Sequence, residues 1–219
     1  MTNHPLIALI SATPTAIPAA TAAITERIPD ARVWNLIDDR LLSDATAAGS
    51  VTPHLQQRME RLISHSLLEN PDAVLLTCSQ YGQVARQTTT AVPVMAPDDA
   101  AFEQIISGGY TNVLVLASLA SAQADTVQRL TAAVAAAGAT IDIRSRVVEE
   151  AAGHAANGDN AKLLHALTAA STGDFDAVFL AQYSLATVAT GLAEAIERPV
   201  ISGPTAAAEA ISAVLEGTA

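Results

Sequence analysis

The chain of 219 residues is half hydrophobic but only 3% aromatic, and 47 residues are alanine. Its core is therefore expected to be aliphatic and closely packed, and the apolar content excludes a disordered chain. Eleven basic residues stand against 22 acidic ones, a net charge of −11, which argues against nucleic-acid and membrane-surface partners because the chain carries the same sign as their phosphates.

Lys162 is the one lysine. Neither G-x-x-x-x-G-K-[ST] nor G-x-G-x-x-G occurs, which removes the P-loop and the dinucleotide fingerprint. Lys162 itself sits in what reads as an ordinary helix start, so no pyridoxal cofactor is expected. The single cysteine, Cys78, cannot form an intramolecular disulfide, and the five histidines lack metal-ligand spacing, so no metal is expected. Pro5, Pro14 and Pro18 break the first apolar stretch. Neither a signal peptide nor a membrane span is expected there, and a reducing cytoplasm is the expected compartment.

The predicted elements alternate in type. A buried strand over 5–11 is followed by a helix over 18–28 and a strand over 31–37 ending at Asp38-Asp39. A long helix over 53–68 carries Leu55, Met59, Leu62, Ile63 and Leu67 near helical spacing. Strands over 73–77 and 92–95 complete the first half, with Cys78 at the carboxyl end of the former. The second half predicts strands over 112–117, 140–148, 177–181 and 199–202, and helices over 122–137, 159–170, 185–196 and 204–215. Continuous apolar strands separated by helices imply parallel strands covered on both faces. The fold class is α/β, doubly wound.

The order of elements restarts midway. Asp72-Ala73-Val74-Leu75-Leu76-Thr77-Cys78-Ser79 aligns with Asp176-Ala177-Val178-Phe179-Leu180-Ala181-Gln182-Tyr183 at an offset of 104, and Pro93-Val94 with Pro199-Val200 at 106. The first strands of each half, read as ending at Ser11 and Ser118, match at 107. Two pseudo-symmetric lobes are expected, 1–107 and 108–219, with Gly108-Gly109 as a joint. Ligands bind outside the carboxyl ends of such strands, so the lobes are expected to face each other across one cleft, with Cys78 and Gln182 at equivalent places.

Cys78 is the candidate catalytic residue: a thiol at a strand-to-helix transition, flanked by Thr77 and Ser79, where a following helix start would favour thiolate. The plain alternative is a small buried hydrophobe. Hydroxyls gather at the other strand ends, at Ser11 to Thr15, at Ser118 to Ser121, at Tyr183-Ser184 and at Ser202 to Thr205. Together with helix-start N–H groups they suit a carboxylate, although each singly reads equally well as an N-cap. Asp38-Asp39 and Asp98-Asp99 read as solvated caps, His54 as a surface residue, and His154 as part of a polar loop.

The two α/β lobes, the strand ending in Thr77-Cys78-Ser79 and its mate Leu180-Ala181-Gln182-Tyr183-Ser184 resemble the aspartate/glutamate racemase superfamily over nearly the whole chain. That superfamily includes amino-acid and hydantoin racemases, maleate isomerase and arylmalonate decarboxylase, all cofactor-independent. The resemblance implies a small carboxylate substrate and a homodimer. It places Cys78 as the first of two catalytic cysteines; Ser11 and Thr13 in the first carboxylate-binding loop; Ser79 and Gln80 after the thiol; and Ser118 in the corresponding loop of the second lobe. Tyr183 and Ser184 replace a pair that in amino-acid racemases is typically Thr-His. At the second cysteine stands Gln182, which is no acid or base near neutral pH but can donate a hydrogen bond to substrate. The expected function is a racemase- or isomerase-like reaction at a carbon next to a carboxylate, with Cys78 as acid, base or nucleophile. The alternatives are a single-thiol decarboxylase and a non-catalytic carboxylate-binding protein.

Overall fold

A computed structural model describes residues 4–217. The chain divides into two compact units, 1–99 with 207–219, and 100–206.

The first unit is built on a four-stranded parallel sheet of order β2-β1-β3-β4, from β1 (Leu6–Ser11), β2 (Arg32–Ile37), β3 (Ala73–Leu76) and β4 (Val94–Met95). Its helices are α1 (Ile17–Arg27), α2 (Leu41–Ala48), α3 (Pro53–Leu67) and the short α4 (Gly82–Gln87). The central strands β1 and β3 are apolar and buried almost throughout, as both-face coverage demands. The edge strand β2 buries only Leu36. On α3, Thr52 caps the Leu55 N–H at 3.4 Å and Pro53 opens the helix. Leu55, Met59 and Ile63 turn inward onto a cluster that holds Ile10, Val74, Leu76 and Cys78.

The second unit begins with α5 (Asp99–Ser107), whose first residue groups with the first unit. Its parallel sheet has the order β6-β5-β7-β8, from β5 (Asn112–Ala117), β6 (Asp142–Val147), β7 (Ala177–Leu180) and β8 (Val200–Ser202). The helices α6 (Ala120–Ala136), α7 (Glu149–Ala156), α8 (Asn160–Ala170) and α9 (Ala189–Ile196) accompany it, followed by α10 (Gly203–Gly217), which from Ala207 groups with the first unit. Strand alternation sends Val113, Val115 and Phe179 to one cluster and Leu114, Leu116 and Val178 to another. The edge strand β6 is charged, with Arg144 on Asp142 at 2.9 Å, a composition that discourages further strand pairing. Gly108 and Gly109 lie inside this unit and end α5. A Cβ on Gly108 would collide with the Tyr110 ring, and Gly109 has φ +73°.

The internal repeat recurs bond for bond. The carbonyls of Leu6 and Asn112 accept from the amides of Asp72 and Asp176, both at 2.8 Å. Those of Ile10 and Leu116 accept from Thr77 and Ala181 at 3.0 and 2.9 Å, and those of Ser11 and Ala117 from Asp38 and Val148 at 3.1 and 2.7 Å. Those of Pro93 and Pro199 accept from Val74 and Val178, both at 2.9 Å. Finally, the carbonyls of Cys78 and Gln182 accept from Tyr81 and Leu185 at 3.0 and 3.1 Å. Cys78 and Gln182 are therefore register mates. Ser11 and Ser118 are not: the mate of Ser11 is Ala117, so the first strands repeat at 106 and not at the expected 107. Ser118 lies one place beyond.

Four helices were not predicted: α2, α4, α5 and α7. They have 8, 6, 9 and 8 residues, lengths at which helices depend on tertiary packing more than on propensity. His154 lies on α7 and not in a loop. The helix predicted over 185–196 splits, because Tyr183–Val188 forms a 3-10 turn and Val188, at φ −117°, leaves helical geometry before α9 begins.

Candidate functional site

In the first unit, β3 delivers Cys78 in extended conformation, with φ −115° and ψ 115°. The thiol is 8% exposed and is not in a disulfide. A 3-10 turn, Ser79–Tyr81, follows before the six-residue α4, so the helix start that the sequence suggested is short and set back. Thr77 does not flank the thiol. Alternation along the strand puts Cys78 on the face of Val74 and Leu76, and Thr77 on the other, where its hydroxyl donates to Ser11 Oγ at 2.9 Å. Ser11 is wholly buried. Thr13 is half-buried, 3.1 Å from the Thr15 hydroxyl. Ser79 is half-buried and Gln80 exposed. Cys78, Ser79 and Gln80 thus stand together, while Ser11 faces inward.

A polar network beneath this strand end was not legible in the sequence. The Tyr81 hydroxyl donates to the Leu41 carbonyl at 2.9 Å and so holds the start of α2 against the turn that follows Cys78. Burial pushes Tyr81 to about 12, with Cys78 beside it adding to the shift, so Tyr81 remains a neutral donor. Arg58 of α3 grips Asp38 with Nη2 at 2.6 and 2.5 Å and Asp44 with Nη1 at 2.6 Å. The Arg58 hydrogen bond holds Asp44 below its usual 3.8, and burial opposes this only in part. Asp38 accepts from the Arg40 N–H at 3.3 Å at the entry to α2, as a cap would, and is in addition an ion-pair partner of Arg58, which the sequence did not suggest. Asp98 departs from expectation, at 3% exposed. His54 is on the surface, as read from the sequence. A hollow of about 400 Å³ beside the network is lined by Arg40, Asp44, Thr52, His54, Arg58 and Arg61 among others.

In the second unit, Gln182 leaves β7 in extended conformation, with φ −141° and ψ 139°. The Ser118 backbone N–H and hydroxyl both donate to Gln182 Oε1, at 2.7 and 3.0 Å. The structure thus joins Ser118 and Gln182, 64 residues apart. Tyr183 is buried and Ser184 half-buried on the 3-10 turn that follows. Among the described residues no group of three or more His, Cys, Asp or Glu side chains is arranged to hold a metal ion, and no helix is long and apolar enough to cross a membrane.

No protein-family profile matches the chain, and no curated protein matches its sequence. Solved structures do match. The Picrophilus torridus aspartate racemase aligns over 96% of this chain and 94% of its own, with 14% identity and a TM-score of 0.74. A maleate isomerase variant from Pseudomonas putida, solved with maleate, aligns over 97% and 92%, with 18% identity and a TM-score of 0.64. A glycine-to-cysteine variant of arylmalonate decarboxylase aligns over 98% and 95%, with 19% identity and a TM-score of 0.66. The chain has the α/β fold that these proteins share, which is the fold class expected from the sequence.

Proposed function

We propose that the chain is a cofactor-independent enzyme of the isomerase type that acts at a carbon next to a carboxylate, with Cys78 as the reacting group. One observation carries this reading. The chain's single thiol stands at the carboxyl end of a central parallel strand, the place where open α/β sheets bind ligands. The fold supports it, since the similar structures include an aspartate racemase and a maleate isomerase.

The chemistry follows from a thiolate. As a base, the Cys78 sulfur takes the α-proton: the C–H bond breaks, an S–H bond forms, and the electron pair moves onto the carboxylate as an enediolate. Reprotonation by Cys78 restores the starting enantiomer, and reprotonation by solvent on the opposite face gives its mirror image. With an alkene substrate the sulfur instead adds to one alkene carbon, rotation follows about the resulting single bond, and elimination returns the thiolate. The Thr13 and Ser79 hydroxyls, with the Gln80 amide, are donors suited to the carboxylate oxygens, where charge accumulates.

The test is incubation in D₂O with aspartate, glutamate, allantoin, maleate and phenylmalonate, followed by proton NMR, with Cys78→Ala in parallel. Turnover of one substrate that falls at least about 100-fold in the variant is expected of an acid–base thiol. Undiminished turnover in Cys78→Ala would overturn the assignment.

A second reading, decarboxylation followed by protonation from Cys78, draws on Gln182. The register mate of the thiol is an amide, so one thiol serves the whole chain. Release of CO₂ from phenylmalonate would select this reading.

A further inference from the structure

The hollow lined by α2 and α3 belongs wholly to the first unit, since all the residues around it fall between 40 and 61. Its walls depart from the charge of the chain. Arg40, Arg58 and Arg61 all line it, in a chain of net charge −11. Elsewhere basic residues are answered singly: Arg27 by Glu216, Arg86 by Asp99, Arg129 by Asp125, Arg144 by Asp142 and Lys162 by Asp159. Around the hollow the count runs the other way. Arg58 and Arg40 share Asp44, at 2.6 and 3.4 Å, and Asp38 is the second carboxylate on Arg58. Arg61 is exposed and makes no ion pair among the described residues. Three guanidiniums against two carboxylates leave a positive charge.

Donors also remain on these walls. Arg58 spends Nε–H and Nη2 on Asp38 and one Nη1 hydrogen on Asp44, which leaves the other Nη1 hydrogen to give. The two acids hold its guanidinium in place, with the side chain 18% exposed. Thr52 Oγ1 accepts from the Leu55 N–H, so its own hydrogen is left to donate. Arg61 follows Arg58 by three residues and lies on the same side of α3. Arg40 joins them from the N-cap of α2.

We propose that this hollow binds the phosphate group of a small organic phosphate. A carboxylate is planar and offers two oxygens to one guanidinium fork. A phosphate offers more oxygens in tetrahedral directions and carries more charge, so guanidiniums from two helices can meet it at once. The volume of about 400 Å³ falls within the range of roughly 300–1,000 Å³ for small-molecule sites, which leaves room for the organic part. The proposal is independent of the chemistry proposed for Cys78, and its test is readable whether or not that chemistry holds.

The full chain is titrated calorimetrically with inorganic phosphate, glycerol 3-phosphate and citrate at constant ionic strength, which separates a site from general screening. Saturable binding of both phosphates is expected, with citrate weaker than either. Arg40→Gln/Arg61→Gln removes the two exposed guanidiniums and keeps Arg58 with its acids. It should weaken glycerol 3-phosphate at least about tenfold, the scale of a lost hydrogen bond to a charged group, with an unchanged melting temperature. Ala48→Glu keeps every arginine and puts a carboxylate on an exposed wall position; it should weaken the same ligand by a similar factor. A wild type that binds neither phosphate overturns the proposal. Wild-type affinity in either folded variant does so too, because the anion then sits elsewhere. Citrate bound more tightly than both phosphates overturns the choice of phosphate.

Discussion

Asp176 and its mate Asp72 precede equivalent strands, and each turns its carboxylate back onto a backbone N–H at the start of the neighbouring strand. Asp72 accepts from Leu6 at 2.7 Å. Asp176 accepts from the Thr111 and Asn112 amides at 2.6 and 2.9 Å and from the Thr111 hydroxyl at 2.8 Å. The two backbone donors, then the hydroxyl, hold Asp176 below its ordinary 3.8. A carboxyl whose value is depressed by folding contributes stability that is fully present above its unfolded value and is lost as the pH falls through the folded one. Asp176→Asn should therefore be less stable than wild type at neutral pH, and the gap should close as the pH drops below 3.8. Thermal melts of both proteins across that range test this; a gap constant with pH would show that the charge is irrelevant. At this scale the sequence was partly legible. The two aspartates were visible as repeat mates because identical residues stood before matching apolar runs. The pairs Arg58–Asp38 and Ser118–Gln182 were not, since they join residues 20 and 64 apart in sequence, and only the folded chain sets that proximity.

Among the elements, strands were read more surely than short helices. The central strands announce themselves, since a buried parallel strand must be a continuous apolar run, and 112–117 matches β5 at both ends. Helix α2 gives no comparable signal in Leu41–Ala48, whose eight residues include Ser43, Asp44 and Thr46. What fixes it is tertiary: Asp44 is paired to Arg58, and the carbonyl of its first residue, Leu41, is held by Tyr81. The latter bond is wholly interior, since Tyr81 and Leu41 are both fully buried. Tyr81→Phe keeps the ring and removes the donor, deleting one buried hydrogen bond at a cost of about 0.5–1.5 kcal/mol. Urea denaturation should show that loss as a lower midpoint at unchanged slope; an unaltered midpoint would mean that α2 does not depend on this anchor. The same bond sits directly after Cys78, so the variant also tests whether the strand-end geometry needs α2 in place.

At the scale of the whole chain, the repeat was legible because two copies of one folding unit kept their strand-end punctuation, Asp before the strand and Pro before the last one. Its register was not fully legible. Ser118 matches Ser11 by residue type, whereas the registers of the two sheets make Ala117 the equivalent of Ser11; identity of a single small residue is a weaker guide than the hydrogen-bond frame. That frame makes the asymmetry between the units a chemical one. The chain has one cysteine, and the position equivalent to it holds an amide that cannot carry a proton at neutral pH. A racemase with two thiols removes a proton on one face and returns one on the other, so exchange with solvent and inversion run together. With one thiol as the carrier, the proton leaves and returns on the same face, and deuterium enters an enantiopure α-amino or α-aryl acid in D₂O with its configuration kept. The expected outcome is α-proton exchange, followed by NMR, that outruns loss of circular dichroism by at least about tenfold, a difference of roughly 1.4 kcal/mol between the two barriers. Equal rates would require a second proton carrier, and would place it on a residue other than Gln182.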